Sequence, residues 1–302
     1  MNLDGKVVLV TGAGGGIGKA LAIGAAKAGA SVVVNDIGAT LSGTSENVGA
    51  AQAVVNEIEA FGGKAVASTD SVSETEGAEG IVKTATDRFG RLDAIVNNAG
   101  ILRDGFFHKM SFEDFDAVIK VHLYGSFNVA RAAAPVFREQ NGGSMIHMTS
   151  TSALIGNLAQ ANYSAAKLGI MALSKSIALD MQRWNVRSNC IAPFAWSRMT
   201  SNIKAETPDQ MERVAKLKEM KPEKISPLVN YLASDDGKDV NGQVFCVRNN
   251  ELFLMSQVRP VRSVQMSDGW TEDKIASHAM PALRSSFFPL EVSADVFSWD
   301  PV

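Results

Sequence analysis

Tyr163 and Lys167 stand four residues apart in the run Tyr-Ser-Ala-Ala-Lys. On a helix that separation puts both side chains on one face. A phenol has a pKa of about 10 in water, too high for a base at neutral pH. A fixed positive charge beside it favours the phenolate, and the cation of an oxidised nicotinamide would add to that effect. The pair can then serve as general acid/base for a carbonyl/alcohol couple, with Lys167 also able to bind the nicotinamide ribose. A tyrosine and a lysine at this separation are a common accident, so their surroundings matter. Thr149-Ser150 closes a strand-like run 13 residues before Tyr163. Strand carboxyl ends are where an open α/β sheet assembles its site. A Ser150 hydroxyl there can hold a substrate oxygen beside Tyr163.

A second constellation lies near the start of the chain. Thr11-Gly12-Ala13-Gly14-Gly15-Gly16-Ile17-Gly18 falls between the apolar run Lys6–Thr11 and the Ala-rich stretch Lys19–Ala28. A glycine-rich turn at a strand-to-helix junction lets the backbone approach a pyrophosphate, to which the helix N-terminus presents free N–H groups. Gly12, Gly16, Ile17 and Gly18 are the expected contacts. Asp36 ends the second strand-like run, 18 residues after Gly18. A carboxylate there can accept from both adenosine ribose hydroxyls and would repel a 2′-phosphate. No Arg or Lys follows immediately to offset that repulsion. The expected cofactor is therefore NAD rather than NADP; otherwise Asp36 is a simple turn residue. Asp70-Ser71 follows the third run, where it could bond the adenine amine. Asn97-Asn98-Ala99-Gly100 follows the fourth, and its asparagines either tie neighbouring loops together or touch the ribose.

These groups need a frame to converge on. Seven short β-branched or apolar runs recur: Lys6–Thr11, Ser31–Asp36, Lys64–Ala67, Ala94–Val96, Ser144–Met148, Arg187–Ile191 and Gln243–Val247. Ala-rich or amphipathic segments of about 10 to 25 residues join them, and two-residue hairpin signals are missing. Such alternation implies right-handed β-α-β units and an open parallel sheet with helices on both faces. The fold class is α/β: a single Rossmann-type doubly wound sheet of seven strands over residues 1–250, followed by a C-terminal extension over 251–302. Phe287, Phe288, Phe297 and Trp299 would be costly in a free tail, so the extension should dock on its own or a partner subunit. It contains a possible short helix capped by Thr271, with Glu272 and Asp273 in its first turn. Gly38–Ser45 is a long turn-rich connection, best read as a surface insertion near the cofactor.

Composition narrows the function classes. The 302 residues carry 29 Lys plus Arg against 32 Asp plus Glu, for a net charge of -3, and hydrophobic residues make up 46%. That is globular, with no electrostatic footprint for nucleic acid or an anionic membrane. No run reaches the roughly 18 apolar residues of a membrane span. The segment from Met1 to Lys6 has no apolar signal core, and two cysteines exclude a disulfide scaffold. A cytoplasmic location follows as the expectation. Cys190 and Cys246 read as small buried hydrophobes in neighbouring strands. No His/Cys/Asp cluster has metal-ligand spacing.

With Thr11–Gly18, Asn97–Gly100 and the Ser150/Tyr163/Lys167 set in hand, the chain resembles the short-chain dehydrogenase/reductase family over about residues 4 to 250. The resemblance implies that Ser150 positions the substrate, Tyr163 transfers the proton, and Lys167 lowers the Tyr163 pKa and binds ribose. Hydride then passes directly between substrate carbon and nicotinamide. Pro193, Ala195 and Ser197 join Asp70, Ser71, Asn97, Ala99 and Gly100 as cofactor contacts, and Gln160 and Trp196 join Ser150 at the substrate. Many members have Asn where this chain has His122; the main-chain carbonyl at that position holds a proton-relay water near the lysine. His122 should keep the relay, while its ring could equally be packed at an interface. The long helices expected at Phe112–Arg138 and Leu158–Arg183 pair across a two-fold axis in this family, which implies a homodimer, with a tetramer also open.

Val34–Gly38, Asn98–Asp104, Val121–Ser126, Gly156-Asn157, Gln160–Tyr163 and Ser197–Thr200 look most like the (3R)-hydroxyacyl-CoA dehydrogenase units of the family. That implies NAD-dependent oxidation of a (3R)-hydroxyacyl-CoA to a 3-oxoacyl-CoA in fatty-acid or steroid side-chain β-oxidation. A 17β-hydroxysteroid dehydrogenase acting on the ring hydroxyl is a second reading, and an inactive NAD-binding redox sensor a third. Arg198–Lys224, where the family places a substrate lid, holds seven basic residues against five acids. The excess would suit the phosphates of coenzyme A, although a solvated mixed-charge helix is the commoner cause.

Overall fold

The computed structural model describes residues 2–39, 42–43, 49–196 and 207–302. Val7–Thr11 forms β1, buried along its whole length because helices cover both faces of the sheet. The chain continues through α1 (Gly16–Lys27), β2 (Ser31–Asn35), α2 (Ala50–Ala60), β3 (Lys64–Ser68), α3 (Thr75–Phe89) and β4 (Ala94–Asn97). A second half follows: α4 (Phe112–Ile119), α5 (Gly125–Gln140), β5 (Gly143–Met148), α6 (Thr151–Leu154), α7 (Ala161–Met181) and β6 (Val186–Phe194). After it come α8 (Pro208–Lys218), α9 (Ser226–Ala233), β7 (Val244–Arg248) and β8 (Glu251–Leu254).

The sheet order is β3-β2-β1-β4-β5-β6-β7-β8, parallel except for the antiparallel β7–β8 pair. The eighth strand corrects the expected seven, and the β7–β8 connection corrects the expected lack of tight hairpins. Two residues, Asn249 and Asn250, make that turn, with Asn249 at φ 55. Asparagine tolerates the left-handed conformation better than most side chains, so an Asn-Asn pair can do what Asn-Gly more often does.

Alternation along β1 sorts the core into two layers. Val8 and Val10 pack with Leu21, Val54, Ile58, Val229 and Leu232, from α1, α2 and α9. Val7 and Leu9 face the other way, onto Ile81, Val129, Phe137 and Met145, from α3, α5 and β5. Each large apolar side chain so buried contributes about 1.5–3 kcal/mol. Chain order reverses between β1 and β4, so the loops after these strands splay apart and leave a crevice at their carboxyl ends.

The helix expected from Phe112 to Arg138 is interrupted. Lys120–Tyr124 forms a π-helical turn between α4 and α5, and His122 is buried within it. Such turns often mark functional positions. The second long helix starts at Ala161 rather than Leu158, after a turn in which Asn157 Nδ2 donates to Gln160 Oε1 at 3.0 Å.

Beyond β8 the extension carries the short helix capped by Thr271, whose hydroxyl accepts the Lys274 amide. Phe297 is buried among Phe194, Phe253 and Trp299. Cys190 and Cys246 are free and buried in adjacent strands, where burial raises their thiols to about 11 and about 12. Among the described residues no helix is long and apolar enough to cross a membrane.

Candidate active site

Three positions of the β1–α1 turn exclude a side chain. Gly12 has φ +62, and a Cβ there would stand 2.7 Å from Ala99 Cα. A Cβ at Gly18 would fall 2.1 Å from the Gly12 carbonyl oxygen, and one at Gly14 2.8 Å from the Asp36 carboxyl. The first turn of α1 has no side-chain cap, so its leading N–H groups suit an anion. This cradle fits a dinucleotide pyrophosphate. Gly16 stands at φ 52, and Ile17 is half-buried against the first core layer.

Asp36 ends up both in the turn and beside the crevice. Oδ2 accepts the Gly14 amide at 2.8 Å, and Oδ1 accepts the Gly38 amide at 2.7 Å. The carboxylate thus holds two loops in place, and each oxygen keeps further lone-pair capacity for hydroxyl donors. Asp70 and Ser71 lie just past β3. The Asp70 carbonyl accepts from Asn35 Nδ2 at 2.9 Å, and Ser71 Oγ accepts the Ser73 amide at 3.2 Å.

The two asparagines after β4 take different tasks. Asn98 Nδ2 donates to the carbonyls of Thr11 and Gly12 at 3.0 and 3.1 Å. Thr11 Oγ1 accepts the amides of Asn98 and Ala99 in return, at 3.0 and 3.1 Å. These bonds lash the β1 and β4 loops together and set Ala99 and Gly100 beside the glycine turn. Asn97 instead turns its side chain inward: it is buried, with Nδ2 donating to the Ser126 carbonyl at 3.3 Å and 3.2 Å from His147 Nδ1.

Ser150, Tyr163 and Lys167 converge as expected. Ser150 caps α6, its Oγ accepting the Ser152 amide at 3.2 Å, and its side chain is near enough to the Tyr163 phenol to lower its pKa. Lys167 is buried, donates to the Met148 carbonyl at 2.7 Å and lies 5.6 Å from the Tyr163 ring centroid. Thr149 Oγ1 donates to the Lys167 carbonyl at 2.8 Å, fixing α7 against the end of β5.

The electrostatics depart from expectation. Burial is the largest influence on Tyr163 and pushes its pKa above the ordinary value. Ser150 lowers it, and Asp104 raises it further. Lys167 is not among the groups that shift the phenol. Burial likewise pulls Lys167 down to about 7.

His122 lies under this group. Its ring packs edge-on against Tyr163, and Nε2 is 3.1 Å from the Ile101 amide and 2.8 Å from the Ile101 carbonyl. Nδ1 is buried without a partner. Burial, helped by Lys167, drives the imidazole to about 3 and the neighbouring His147 to about 4, so both are neutral.

Gln160 Nε2 donates to Asp104 Oδ2 at 3.0 Å in the turn before α7. The Trp196 amide donates to the Met220 carbonyl at 2.6 Å, and Lys218 lies over its ring. Pro193 is in β6 and Ala195 packs on the first core layer. Ser197 lies outside the described residues, as do Arg198, Lys204 and Glu206 of the expected lid. Lys216, counted among the cations free for a CoA phosphate, instead pairs with Glu212 and Asp300 at 3.1 and 3.0 Å.

One positioning residue escaped the sequence reading. Asn162 is fully buried; its Nδ2 donates to the carbonyls of Arg103 and Asp114, and its Oδ1 accepts the Tyr163 amide at 2.7 Å. An Asn in the first turn of a helix, directly before the reactive Tyr, was the signal available.

Comparison with known proteins agrees with this geometry. Residues 12–249 match the family described as enoyl-(acyl carrier protein) reductase. The mouse peroxisomal multifunctional enzyme type 2 is 48% identical over 245 residues, 81% of this chain and 32% of that one, so the chain spans about a third of that relative. A hydroxyacyl-CoA dehydrogenase of Mycobacterium tuberculosis is 40% identical over 265 residues, 84% of this chain and 81% of that one. The crystal structure of a short-chain dehydrogenase from Mycobacterium avium superposes with a TM-score of 0.83 at 41% identity, covering 96% of this chain and 98% of that one. A 7α-hydroxysteroid dehydrogenase complexed with NADH and 7-oxo glycochenodeoxycholic acid gives 0.71 at 31%, covering 82% and 94%. Relatives and a solved structure thus match along most of the sheet, and the chain belongs to the short-chain dehydrogenase/reductase family.

Proposed function

We propose that the protein is an NAD-dependent dehydrogenase that oxidises a (3R)-hydroxyacyl-CoA to the 3-oxoacyl-CoA. The observation that carries this reading is the convergence on Tyr163 of Ser150, which lowers its phenol, and buried Lys167, 5.6 Å from its ring centroid. The hydroxyacyl-CoA class is taken from the relatives named for that chemistry and from the multifunctional enzyme.

Gly12, Gly16, Gly18 and the α1 N-terminus would hold the pyrophosphate, Asp36 the adenosine ribose, and Lys167 the nicotinamide ribose. When bound, the dinucleotide supplies the hydride acceptor. The remaining work falls to the chain. Ser150 holds the substrate hydroxyl, and Tyr163 takes its proton. Lys167, near half-protonated at neutral pH, can pass that proton onward without a large change in its own surroundings. Asp36, as a carboxylate, selects NAD over NADP. A homodimer through α4, α5 and α7, and a cytoplasmic location suited to two free thiols, complete the proposal.

A panel of (3R)- and (3S)-hydroxyacyl-CoA esters and free steroid alcohols, followed by NADH absorbance, tests it. Turnover of the (3R)-esters is expected. The second reading, oxidation of a steroid ring hydroxyl, is favoured by the bile-acid complex of the structural neighbour, and it wins if only the free steroids react.

A further inference from the structure

Gly156, between α6 and α7, has φ +154, and a Cβ there would stand 2.7 Å from the carbonyl oxygen of Glu291. The extension therefore lies against the loop that carries Ser150. Two hydrogen bonds confirm the seat. The Ser293 amide donates to the Gly156 carbonyl at 2.9 Å. The Ser293 hydroxyl donates to the Thr151 hydroxyl at 2.7 Å, and Thr151 is the buried residue directly after Ser150. Four residues on, Phe297 packs in one apolar cluster with Leu154 and Ile155 of that turn and with Phe194 at the end of β6. Asp300 then pairs with Lys216 on α8.

Ser150 is held on its other sides by the sheet and by α7. The Thr149 amide donates to the Ile191 carbonyl, and Ser164 Oγ donates to the Ser152 carbonyl at 3.0 Å. Neither bond reaches the outer side of the turn, where Ser293 sits. A turn supported from two directions can still rock about the third, and a misplaced catalytic group loses rate steeply with small displacements.

We propose that Ser293 is a positioning residue for Ser150, and that the C-terminal segment 291–300 braces the turn that carries it. The inference rests on the dehydrogenase reading for its kinetic consequence, but not for its structural one. Ser150 is the acceptor for three amides of its turn: Ser152 through Oγ, and Ala153 and Leu154 through the carbonyl. Their hydrogen exchange reports the Ser150 geometry directly.

The test uses the full chain with Ser293→Ala and Ser293→Thr. Ser293→Ala should lower kcat about 3- to 10-fold, the rate equivalent of one hydrogen bond. The Kd for NADH should stay within twofold, and the Ser152–Leu154 amides should exchange faster. Ser293→Thr, which keeps the hydroxyl, should restore both. If the wild-type enzyme turns over an alcohol and Ser293→Ala leaves kcat unchanged, the proposal is overturned whatever the exchange shows. If the wild-type enzyme oxidises no alcohol on the panel, the dehydrogenase reading fails, and exchange alone decides: protection unchanged in Ser293→Ala overturns the brace, and lost protection upholds it. Thr151→Val, which removes the acceptor from the other side, must reproduce the Ser293→Ala result.

Discussion

The imidazole of His122 stands edge-on to the phenol ring of Tyr163, centroids 5.3 Å apart and planes at 89°. A π-helical turn, Lys120–Tyr124, presents it. Gly100 leaves room for it, since a Cβ there would come within 2.2 Å of His122 Cε1. His122→Ala should therefore loosen both Tyr163 and the Ile101 backbone. We expect a stability loss of about 2–4 kcal/mol from the cavity and the lost hydrogen bond, read by urea denaturation. Turnover should fall while NADH affinity changes only a few-fold; unchanged stability would remove the packing role.

Tyr163→Phe should abolish turnover, a loss on the order of 10²–10⁴, and leave dinucleotide binding nearly intact. Isothermal titration with NADH beside the steady-state assay separates the two effects. Equal loss of both would mean the phenol holds the cofactor rather than the proton.

The pH profile follows from the direction of the Tyr163 shift. Burial holds the phenol above its ordinary value, so alcohol oxidation should rise with pH into the alkaline range as the phenolate forms. Ser150 pulls the other way. Ser150→Ala should accordingly move the rising limb of kcat/KM to higher pH. A shift to lower pH would contradict the assignment.

Asp36 accepts two loop amides besides facing the crevice. Asp36→Ala should thus do more than relax cofactor choice. The kcat/KM ratio of NAD to NADP should fall at least tenfold, as expected on removing a repulsion worth on the order of 1.4 kcal/mol or more. Absolute activity with NAD should fall too. A wild-type preference for NADP would refute the role given to the carboxylate.

Two neutral buried histidines make stability acid-sensitive. His122 and His147 sit at about 3 and about 4 in the folded protein, against about 6.5 when unfolded. Below about 6.5 the unfolded chain takes up protons that the folded one refuses, so stability falls as pH drops toward 4. The slope is on the order of 1 kcal/mol per pH unit for each group. In the double variant His122→Asn/His147→Asn the slope of midpoint urea concentration against pH should flatten. An unchanged slope would place the acid sensitivity elsewhere.

Much of the site was legible in the chain. Tyr163 and Lys167 share one helix, and Gly12 to Gly18 share one turn, so their relations are set by helical geometry and by the absence of Cβ atoms. The strand runs were equally plain, since strands covered on both faces must be continuously apolar. The Asn97-Asn98 pair was not. Both side chains suit a strand end, and only the neighbouring elements sent one into the core toward His147 and the other to the β1 loop. Lys216 read as a free cation until Asp300, 84 residues later in the chain, was found beside it.

The alternation of seven strands with helices, the glycine-rich turn and the Ser150/Tyr163/Lys167 set could be read from the sequence alone, because each is encoded in residues close together along the chain. The tertiary structure decided the rest: the raised phenol, the lowered ammonium, the neutral histidines and the contact of Ser293 with the Ser150 turn. Desolvation and long-range contact depend on which distant segments pack together, and no local pattern carries that information.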